Sequence, residues 1–436
     1  MRSAVRLLAA LPALVLALIQ VATPLVAQSD QKQRPPTGSE QKKLLRAFFE
    51  LDPRSPKAAD EGRKILAQLD SLPALSQRQA RDWRKKILRL AAKGRRLDKK
   101  SRRSWLWEKE KKGLYIVGGE TRRPKGLLVA MHGGGAGSGS AQSAFGAYNA
   151  AAKKLGWLAV FPEVLEKTEY GWTDSGTEEF VLDLLAAARR TWKIDPDRVF
   201  FAGHSMGGYG TWTLGAHHAD RVAALAPSAG APTPIFSNQT RKLIDVAEGV
   251  IPNLRNVPIV IYQSDDDPRV GPESNRMAVK KLAAAQERWG GYPHEYWEVS
   301  GRGHASPPGG TIAHLQKIAG HRRDPCPQKI VWQPTLPWKR QFYWLWWEQP
   351  VPEALVVAEV DRKKNRIRVE CDHDAATLSV LLDDRLVDMS KEVVVEFGGE
   401  EVFRGIPERR LTTILLTGVG NDPGLVFETQ VGVVRR

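Results

Sequence analysis

The segment Val199-Phe-Phe-Ala-Gly203-His-Ser205-Met-Gly-Gly208 decides the fold that we expect for this chain. Its first four residues are apolar and predict a strand, and a helical pattern follows from Met206 to His217. A Gly-x-Ser-x-Gly motif between a strand and a helix is a nucleophile elbow, which lifts the serine above the sheet at a helix N-terminus. The motif alone is weak in a chain with 38 glycines. Its context indicates that Ser205 is a nucleophile.

The region from residue 113 to 322 alternates short apolar runs with helix-length segments. Uninterrupted apolar runs separated by helices predict a mostly parallel sheet that is covered on both faces, and therefore an α/β domain. The predicted strands are Gly126–Met131, Trp157–Phe161, Val199–Ala202, Val222–Leu225, Val257–Tyr262 and Glu295–Val299. The predicted helices are Ser143–Leu155, Glu178–Trp192, Met206–His217 and Glu273–Trp289.

A glycine-rich loop, His132-Gly133-Gly134-Gly135, follows the strand that ends at Met131. Its main chain can approach a reacting carbonyl closely, so we expect its N–H groups and that of Met206 to form an oxyanion hole. We favour Gly134 as the loop donor, with Gly133 or Gly135 as alternatives. A phosphate-binding loop is the competing interpretation, but the Lys-Ser/Thr pair of a P-loop is missing. We expect His132 to shape this loop, and both His132 and Gly133 are candidate substrate contacts.

The acid of a catalytic triad should follow a later strand, where three aspartates stand in a row. We choose Asp267, which begins an Asp-Pro-x-Val turn, and leave Asp265 and Asp266 as alternatives. A buried carboxylate there would accept the N–H of a histidine and stabilise its imidazolium form.

His304 ends the glycine-rich segment Ser300-Gly-Arg-Gly-His304 after the next predicted strand. It is therefore the candidate general base, since its ordinary pKa lies near the working range. The chain order Ser205, Asp267, His304 matches the triad order of one class of serine hydrolases and excludes the other common orders.

Residues from about 113 to 320 resemble an α/β-hydrolase. More closely, they are similar to exported esterases of the polyhydroxybutyrate-depolymerase, feruloyl-esterase and dienelactone-hydrolase-like group. The matching segments are His132–Gly135, Ile194-Asp-Pro-Asp-Arg-Val199, Gly203–Gly208, Asp267-Pro268 and Gly303-His304. A basic N-terminal region and a C-terminal β domain depart from the compact core of that group.

The resemblance implies hydrolysis of carboxylic esters through an acyl-serine intermediate, without a metal or an organic cofactor. An acylated polysaccharide, an aryl ester and a polyester all remain open as substrates. Similar elbows occur in prolyl-oligopeptidase-like peptidases, so a serine peptidase is the first alternative. A catalytically idle polymer-binding protein is the second. Trp172 and Tyr209 lie where they would contact an aromatic or sugar part of the substrate, although packing in the core is the ordinary role of such residues.

The chain has 436 residues, 42% of them apolar and 26% charged, which argues against disorder or a fibrous repeat. Its net charge of +16 is confined to the N-terminal part: residues 28–112 contain 25 basic and 11 acidic side chains, whereas residues 113–436 are balanced. We predict a linker and basic amphipathic helices in 28–112. Their charge fits an anionic polymer or a membrane surface, or simply a solvated helix face; we expect no nucleic-acid partner.

Arg2 and Arg6 precede an apolar run from Leu7 to Ile19, which predicts an export signal over residues 1–27 with cleavage near Ala27. A retained anchor is the alternative, because Leu25 is large for its position before the cut. Export would place the protein in the periplasm or outside the cell.

Residues 323–350 read as a connector rich in proline and tryptophan, and residues 351–436 as a small accessory β domain with a short helix near 409–416. The tryptophans fit either an exposed binding surface or an interdomain seam. Cys326 and Cys371 are the only cysteines, and the sequence leaves open whether they pair. No His/Cys cluster has metal-site spacing.

Overall fold

The N-terminal region folds into three helices. The computed structural model describes residues 35–51, 55–99 and 103–434, so the predicted export signal lies outside the described residues. The helices are α1 (Gly38–Glu50), α2 (Ala58–Asp70) and α3 (Gln77–Ala91). Thr37 and Ser76 cap α1 and α3 with reciprocal side-chain to main-chain hydrogen bonds. No helix in the described part of the chain is long and apolar enough to cross a bilayer.

Ten strands come next, and eight of them form one sheet in the order β1-β2-β4-β3-β5-β6-β9-β10, while β7 and β8 form a separate hairpin. Strand β2 runs antiparallel to both of its neighbours, and the remaining pairs are parallel. The strands are β1 (Arg103–Trp107), β2 (Lys112–Gly119), β3 (Leu127–Met131), β4 (Leu158–Pro162), β5 (Val199–His204), β6 (Ala224–Ser228), β7 (Pro234–Phe236), β8 (Leu243–Val246), β9 (Ile259–Ser264) and β10 (His294–Val299).

Five helices cover this sheet on both faces. Alternate side chains of β3 point to opposite faces of the sheet and so belong to two different apolar cores. Leu127, Val129 and Met131 join the larger apolar core, whereas Leu128 and Ala130 join a second one on the opposite face. The helices are α4 (Ala141–Leu155), α5 (Thr177–Thr191), α6 (Met206–His217), α7 (Glu273–Trp289) and α8 (Gly310–Ile318). Apolar residues of α5, α6 and α7 belong to the larger core, and those of α4 and α8 to the second. The predicted α/β architecture is confirmed.

The C-terminal part contains two further sheets and one helix. One sheet has the order β11-β14-β15-β17-β18, and the other has the order β12-β13-β16-β19. All their pairings are antiparallel except that of β15 with β17. The elements are β11 (Lys329–Trp332), β12 (Gln341–Phe342), β13 (Leu345–Trp347), β14 (Val356–Asp361), β15 (Arg366–Cys371), β16 (Leu378–Leu382), β17 (Val393–Phe397), β18 (Glu400–Gly405), α9 (Leu411–Gly418) and β19 (Thr429–Gly432).

Two of the expected boundaries need correction. The large sheet begins at Arg103 rather than at residue 113, because β1 pairs with β2 through a register that sets Trp105 opposite Leu114. Residues 323–350 are not a linker, since they supply three strands of the C-terminal sheets. Trp332, Trp344 and Trp347 are fully buried there, which favours the seam over an exposed aromatic surface.

The N-terminal helices pack against the C-terminal part rather than standing alone. Trp83 and Ile87 of α3 share an apolar cluster with Ile414 and Leu415 of α9. The main-chain N–H of Leu75 donates to Arg409 O at 2.8 Å. The basic region therefore has an apolar partner that lies at the other end of the sequence.

A buried ionic network joins the C-terminal part to the region of the eight-stranded sheet. Asp422 accepts from Nη1 and Nη2 of Arg323 at 2.7 and 2.8 Å and from Nη1 of Arg189 at 2.9 Å. The two arginines hold the pKa of Asp422 far below its ordinary value despite complete burial. Cys326 and Cys371 are both free thiols.

Candidate active site

Ser205 lies in the tight turn between β5 and α6, as the elbow motif predicts. Its backbone has φ 58° and ψ −125°, a conformation that costs free energy for a residue with a side chain. The turn needs glycine beside it, because a Cβ atom on Gly203 would collide with the main chain of Gly207. The N–H of Ser205 donates to Ser228 O at 2.9 Å, which fixes the turn to β6. The serine is thus held in a strained, well-defined position.

His304 and Asp267 meet at the same edge of the sheet. His304 Nδ1 lies 2.7 Å from Asp267 Oδ2, and only 6% of Asp267 is exposed. The other carboxylate oxygen accepts the main-chain N–H groups of Arg269 and Val270 at 2.8 and 3.0 Å. A carboxylate bound in this way can orient an imidazole and stabilise its protonated form. The geometry therefore favours Asp267 among the three consecutive aspartates.

The other two aspartates hold the loop that carries His304. Asp265 accepts the hydroxyl of Ser300 at 2.6 Å. Asp266 Oδ1 accepts the N–H groups of Arg302 and Gly303 at 3.2 and 2.9 Å. Hydrogen bonds from Ser264 and from these N–H groups lower the pKa of Asp266. We therefore describe Asp265 and Asp266 as residues that position the loop of the histidine.

His204 is a site residue that the sequence reasoning missed. Its ring lies against that of His304, with centroids 4.9 Å apart, and its Nδ1 atom lies 3.0 Å from Ser228 Oγ. Burial lowers the pKa of His204, and the charge on His304 lowers it further, while a hydrogen bond to the main chain of His304 opposes both effects. The lowered pKa favours the neutral form of His204. Its place directly before Ser205 was the signal available in the sequence.

The glycine-rich loop after β3 lies beside the nucleophile. A Cβ atom on Gly133 would stand 2.8 Å from His204 O and 3.2 Å from Ser205 Cβ, so a side chain there would collide with the main chain before the nucleophile. His132 Nε2 accepts the N–H of Val164 at 3.2 Å, so Nδ1 carries the proton and donates to Gly133 O at 2.9 Å. Because the carbonyl of a trans peptide points opposite to the next N–H, this bond turns the Gly134 N–H away from His132.

The second predicted oxyanion donor is the N–H of Met206, the first residue of α6. The first N–H groups of a helix have no partner within it, and they lie at the positive end of its dipole. Ser205 O is already occupied by the N–H groups of Gly208 and Tyr209, at 2.7 and 3.1 Å. The N–H of Met206 is therefore suited to accept a negative charge that develops next to Ser205.

Two of the predicted substrate contacts are wrong, because their side chains are buried. Trp172 and His132 are each 1% exposed, and the indole N–H of Trp172 donates to His132 O at 3.0 Å. Both side chains donate hydrogen bonds to the main chain of the glycine loop, and they are too deeply buried to face a substrate. Tyr209 is half-buried, and its pKa is raised by burial and by the charge of Asp267. It remains a candidate contact.

The strand order, the single antiparallel strand β2 and the elbow after β5 define the α/β-hydrolase fold. No family model and no curated protein matches the chain. Solved structures do. A thermostable esterase is 20% identical, with 48% of this chain and 60% of that chain covered and a TM-score of 0.36. The chain therefore spans less than two thirds of that esterase.

Two further similar structures are also esterases. An acetyl xylan esterase from Aspergillus awamori is 14% identical over 48% of this chain and 94% of that chain, with a TM-score of 0.36. A ferulic acid esterase from Anaeromyces mucronatus, in complex with ferulic acid, is 16% identical over 50% and 89%, with a TM-score of 0.36.

Proposed function

We propose that this protein is a serine hydrolase that cleaves carboxylic esters through an acyl-serine intermediate. The observation that supports the proposal best is the hydrogen bond between His304 and Asp267 at the edge of the sheet where the strained Ser205 turn lies. These residues and their chain order fit acyl transfer by an activated serine.

In the proposed mechanism, Ser205 Oγ attacks the ester carbonyl while His304 Nε2 takes its proton. Asp267 keeps His304 in the tautomer with Nδ1 protonated and stabilises the imidazolium. The N–H groups of Gly134 and Met206 bind the oxyanion. The tetrahedral intermediate collapses when His304 protonates the leaving alcohol, and the acyl group stays on Ser205.

Deacylation repeats these steps with water as the nucleophile. His304 takes a proton from the water, which attacks the acyl carbonyl, and the acid leaves as Ser205 Oγ is reprotonated. The ring of His204 lies against that of His304, and burial lowers the pKa of His204, which disfavours a second positive charge beside the imidazolium.

We also propose export to the periplasm or beyond, on the basis of the N-terminal pattern of residues 1–27. An acylated polysaccharide, an aryl ester or a polyester would then be the substrate. N-terminal sequencing of the protein recovered from its host tests the export step: a chain that begins after Ala27 supports it, and an intact Met1 contradicts it.

The decisive experiment compares wild type with Ser205→Ala on a panel of esters with varied acyl and alcohol parts and on matched peptide amides. We expect ester turnover by wild type, a loss of about three orders of magnitude or more in the variant, and labelling of Ser205 by a fluorophosphonate. Preference for amides would point to the peptidase. A folded wild type that neither turns over the panel nor reacts with the reagent would contradict the proposal.

A further inference from the structure

Helix α3 exposes one face that consists almost entirely of cationic side chains. Residues spaced by three and four positions share one side of a helix, and the apolar set at such spacing is buried: Ala80, Trp83, Ile87 and Ala91. The opposite side carries a second set at the same spacing, and all four members are exposed: Arg78, Arg81, Lys85 and Arg89, with one acidic residue, the exposed Asp82, at the edge of the set. We call these four residues the basic face.

The basic face has no anionic partner among the contacts of the described residues. None of its four side chains takes part in a salt bridge or a side-chain hydrogen bond there, in contrast to Arg84 on the flank of the same helix, which reaches Asp383. The surrounding segment 76–99 contains ten basic and two acidic residues. Like charges held this close repel one another, so an anionic ligand would gain from several of them at once.

The buried side of α3 fixes the basic face in space. Its apolar residues share a core with α9, the N–H of Leu75 donates to Arg409 O just before the helix begins, and Arg410 Nη1 donates to Leu72 O at 3.1 Å. The helix backbone is therefore anchored before any ligand arrives, and binding would not have to order it.

We propose that the basic face of α3 binds an acidic polysaccharide. At 1.5 Å per residue, the four charges from Arg78 to Arg89 form a row of about 16 Å along the helix axis. Such a row matches a chain whose carboxylate or sulfate groups repeat along its length. The contact would hold the protein on the polymer independently of the proposed ester hydrolysis.

The surroundings of the basic face favour a polysaccharide over a membrane. A helix that lies in a bilayer interface needs an apolar side to insert, but the apolar side of α3 is buried. Single-stranded nucleic acid binding relies on exposed aromatic rings for base stacking; Trp83 is buried, and Lys86 Nζ lies 4.1 Å above its ring. The predicted export signal also speaks against a nucleic-acid ligand.

The test measures binding of the full-length protein to immobilised polygalacturonate at low salt, with dextran as the neutral control polymer. The variant is Arg78→Gln, Arg81→Gln, Lys85→Gln and Arg89→Gln combined, since glutamine retains helix propensity. The matched control is Lys153→Gln, Lys154→Gln, Lys280→Gln and Lys363→Gln combined, which removes the same net charge from exposed positions elsewhere.

We expect wild type and the matched control to bind polygalacturonate, and the α3 variant to bind at least about tenfold more weakly. The difference in affinity between wild type and the α3 variant should become smaller as the salt concentration rises. Turnover of a small soluble ester should be equal in all three proteins, which separates this result from a failure of the proposed activity. Wild type that binds dextran equally well, or equal weakening in both variants, would overturn the proposal. So would tighter binding to vesicles with anionic lipid or to duplex DNA. Wild type that does not prefer polygalacturonate to dextran would overturn the proposal even if the variant misfolds.

Discussion

His304 Nδ1 lies 2.7 Å from Asp267 Oδ2, although the two residues are 37 positions apart in the sequence. The contact exists because β9 and β10 are parallel neighbours, with Ser264 in register with Val299. Loops that follow parallel neighbours leave the sheet at the same edge. Three consecutive aspartates lie at this edge, and each binds a different residue of the histidine loop. Asp265 binds Ser300, Asp266 binds Arg302 and Gly303, and Asp267 binds His304.

Substitution of these aspartates one at a time should separate the acid of the triad from its neighbours. We expect Asp267→Asn to lower kcat by about four orders of magnitude, because the amide favours the wrong histidine tautomer. Within the described part of the chain, the Asp265 side chain accepts a hydrogen bond from the Ser300 hydroxyl alone, so we expect Asp265→Asn to lower kcat by less than about tenfold. Steady-state kinetics on one soluble ester measures both. A large loss at Asp265 with little loss at Asp267 would reassign the acid.

The glycine loop offers a test with an internal control. Gly137 and Gly139 both have positive φ, 71° and 85°, but a methyl group on Gly139 would collide with Gly133 O and His132 Nδ1, whereas nothing lies near one on Gly137. Alanine would therefore strain the backbone at both positions, but it would collide with neighbouring atoms only at position 139. We expect Gly139→Ala to lower kcat by about 100-fold through displacement of the oxyanion donor, with little change in KM. Gly137→Ala should remain within about tenfold of wild type, and equal losses would contradict the role of the loop.

His204 should behave as a positioning residue for the general base. His204→Ala removes both the ring that lies against His304 and the hydrogen bond to Ser228, and we expect kcat to fall by about tenfold or more. His204→Phe retains the ring and should recover part of the loss. A lower kcat with an unchanged shape of the pH–rate profile would support a positioning role for His204. If both variants match wild type, the contact has no role in catalysis.

His314, in α8, should make stability depend on pH. Complete burial lowers its pKa to about 4, compared with about 6.5 in the unfolded chain. The unfolded chain therefore binds a proton that the folded protein rejects between these values. The contribution to stability is complete above pH 6.5 and is lost as the pH falls toward 4, by an amount on the order of 3 kcal/mol.

Thermal melts of wild type and His314→Gln at several pH values measure this effect. Glutamine can still donate to Val260 O, which now accepts from His314 Nε2 at 2.7 Å, but it does not titrate. The variant should lose less stability than wild type between pH 7 and 5. Glu295 and Lys317 lie near His314 with opposite electrostatic effects on it. Identical pH dependence in both proteins would contradict the assignment.

The sequence predicted the catalytic region well because its signals are local. Helices α6 and α7 have the expected bounds, Met206–His217 and Glu273–Trp289, and the elbow around Ser205 depends on a few consecutive residues. The partition of roles among Asp265, Asp266 and Asp267 was only partly predictable, since it depends on which oxygen meets Ser300, Gly303 or His304 across a loop. Such contacts have no periodic pattern.

Other features escaped prediction because their partners are distant in the sequence. Strand β1 is short and follows directly on a run of basic residues, and only its pairing with β2 reveals it as a strand. The burial of Trp172 depends on the carbonyl of His132, 40 positions earlier. The connector was misjudged because proline marks loops in most contexts, whereas here β11 to β13 lie between prolines and pair with strands farther along the chain.

The packing of α3 on α9 has a consequence for biosynthesis. Leu72 receives its hydrogen bond from Arg410, which is synthesised 338 positions later, so the apolar side of α3 lacks its partner α9 until almost the whole chain has left the ribosome. Contacts between such distant segments form late, and an exposed apolar surface meanwhile invites aggregation. A nascent chain of this kind stays incompletely folded until synthesis is nearly finished, and chaperones would have to shield its first helices for that time.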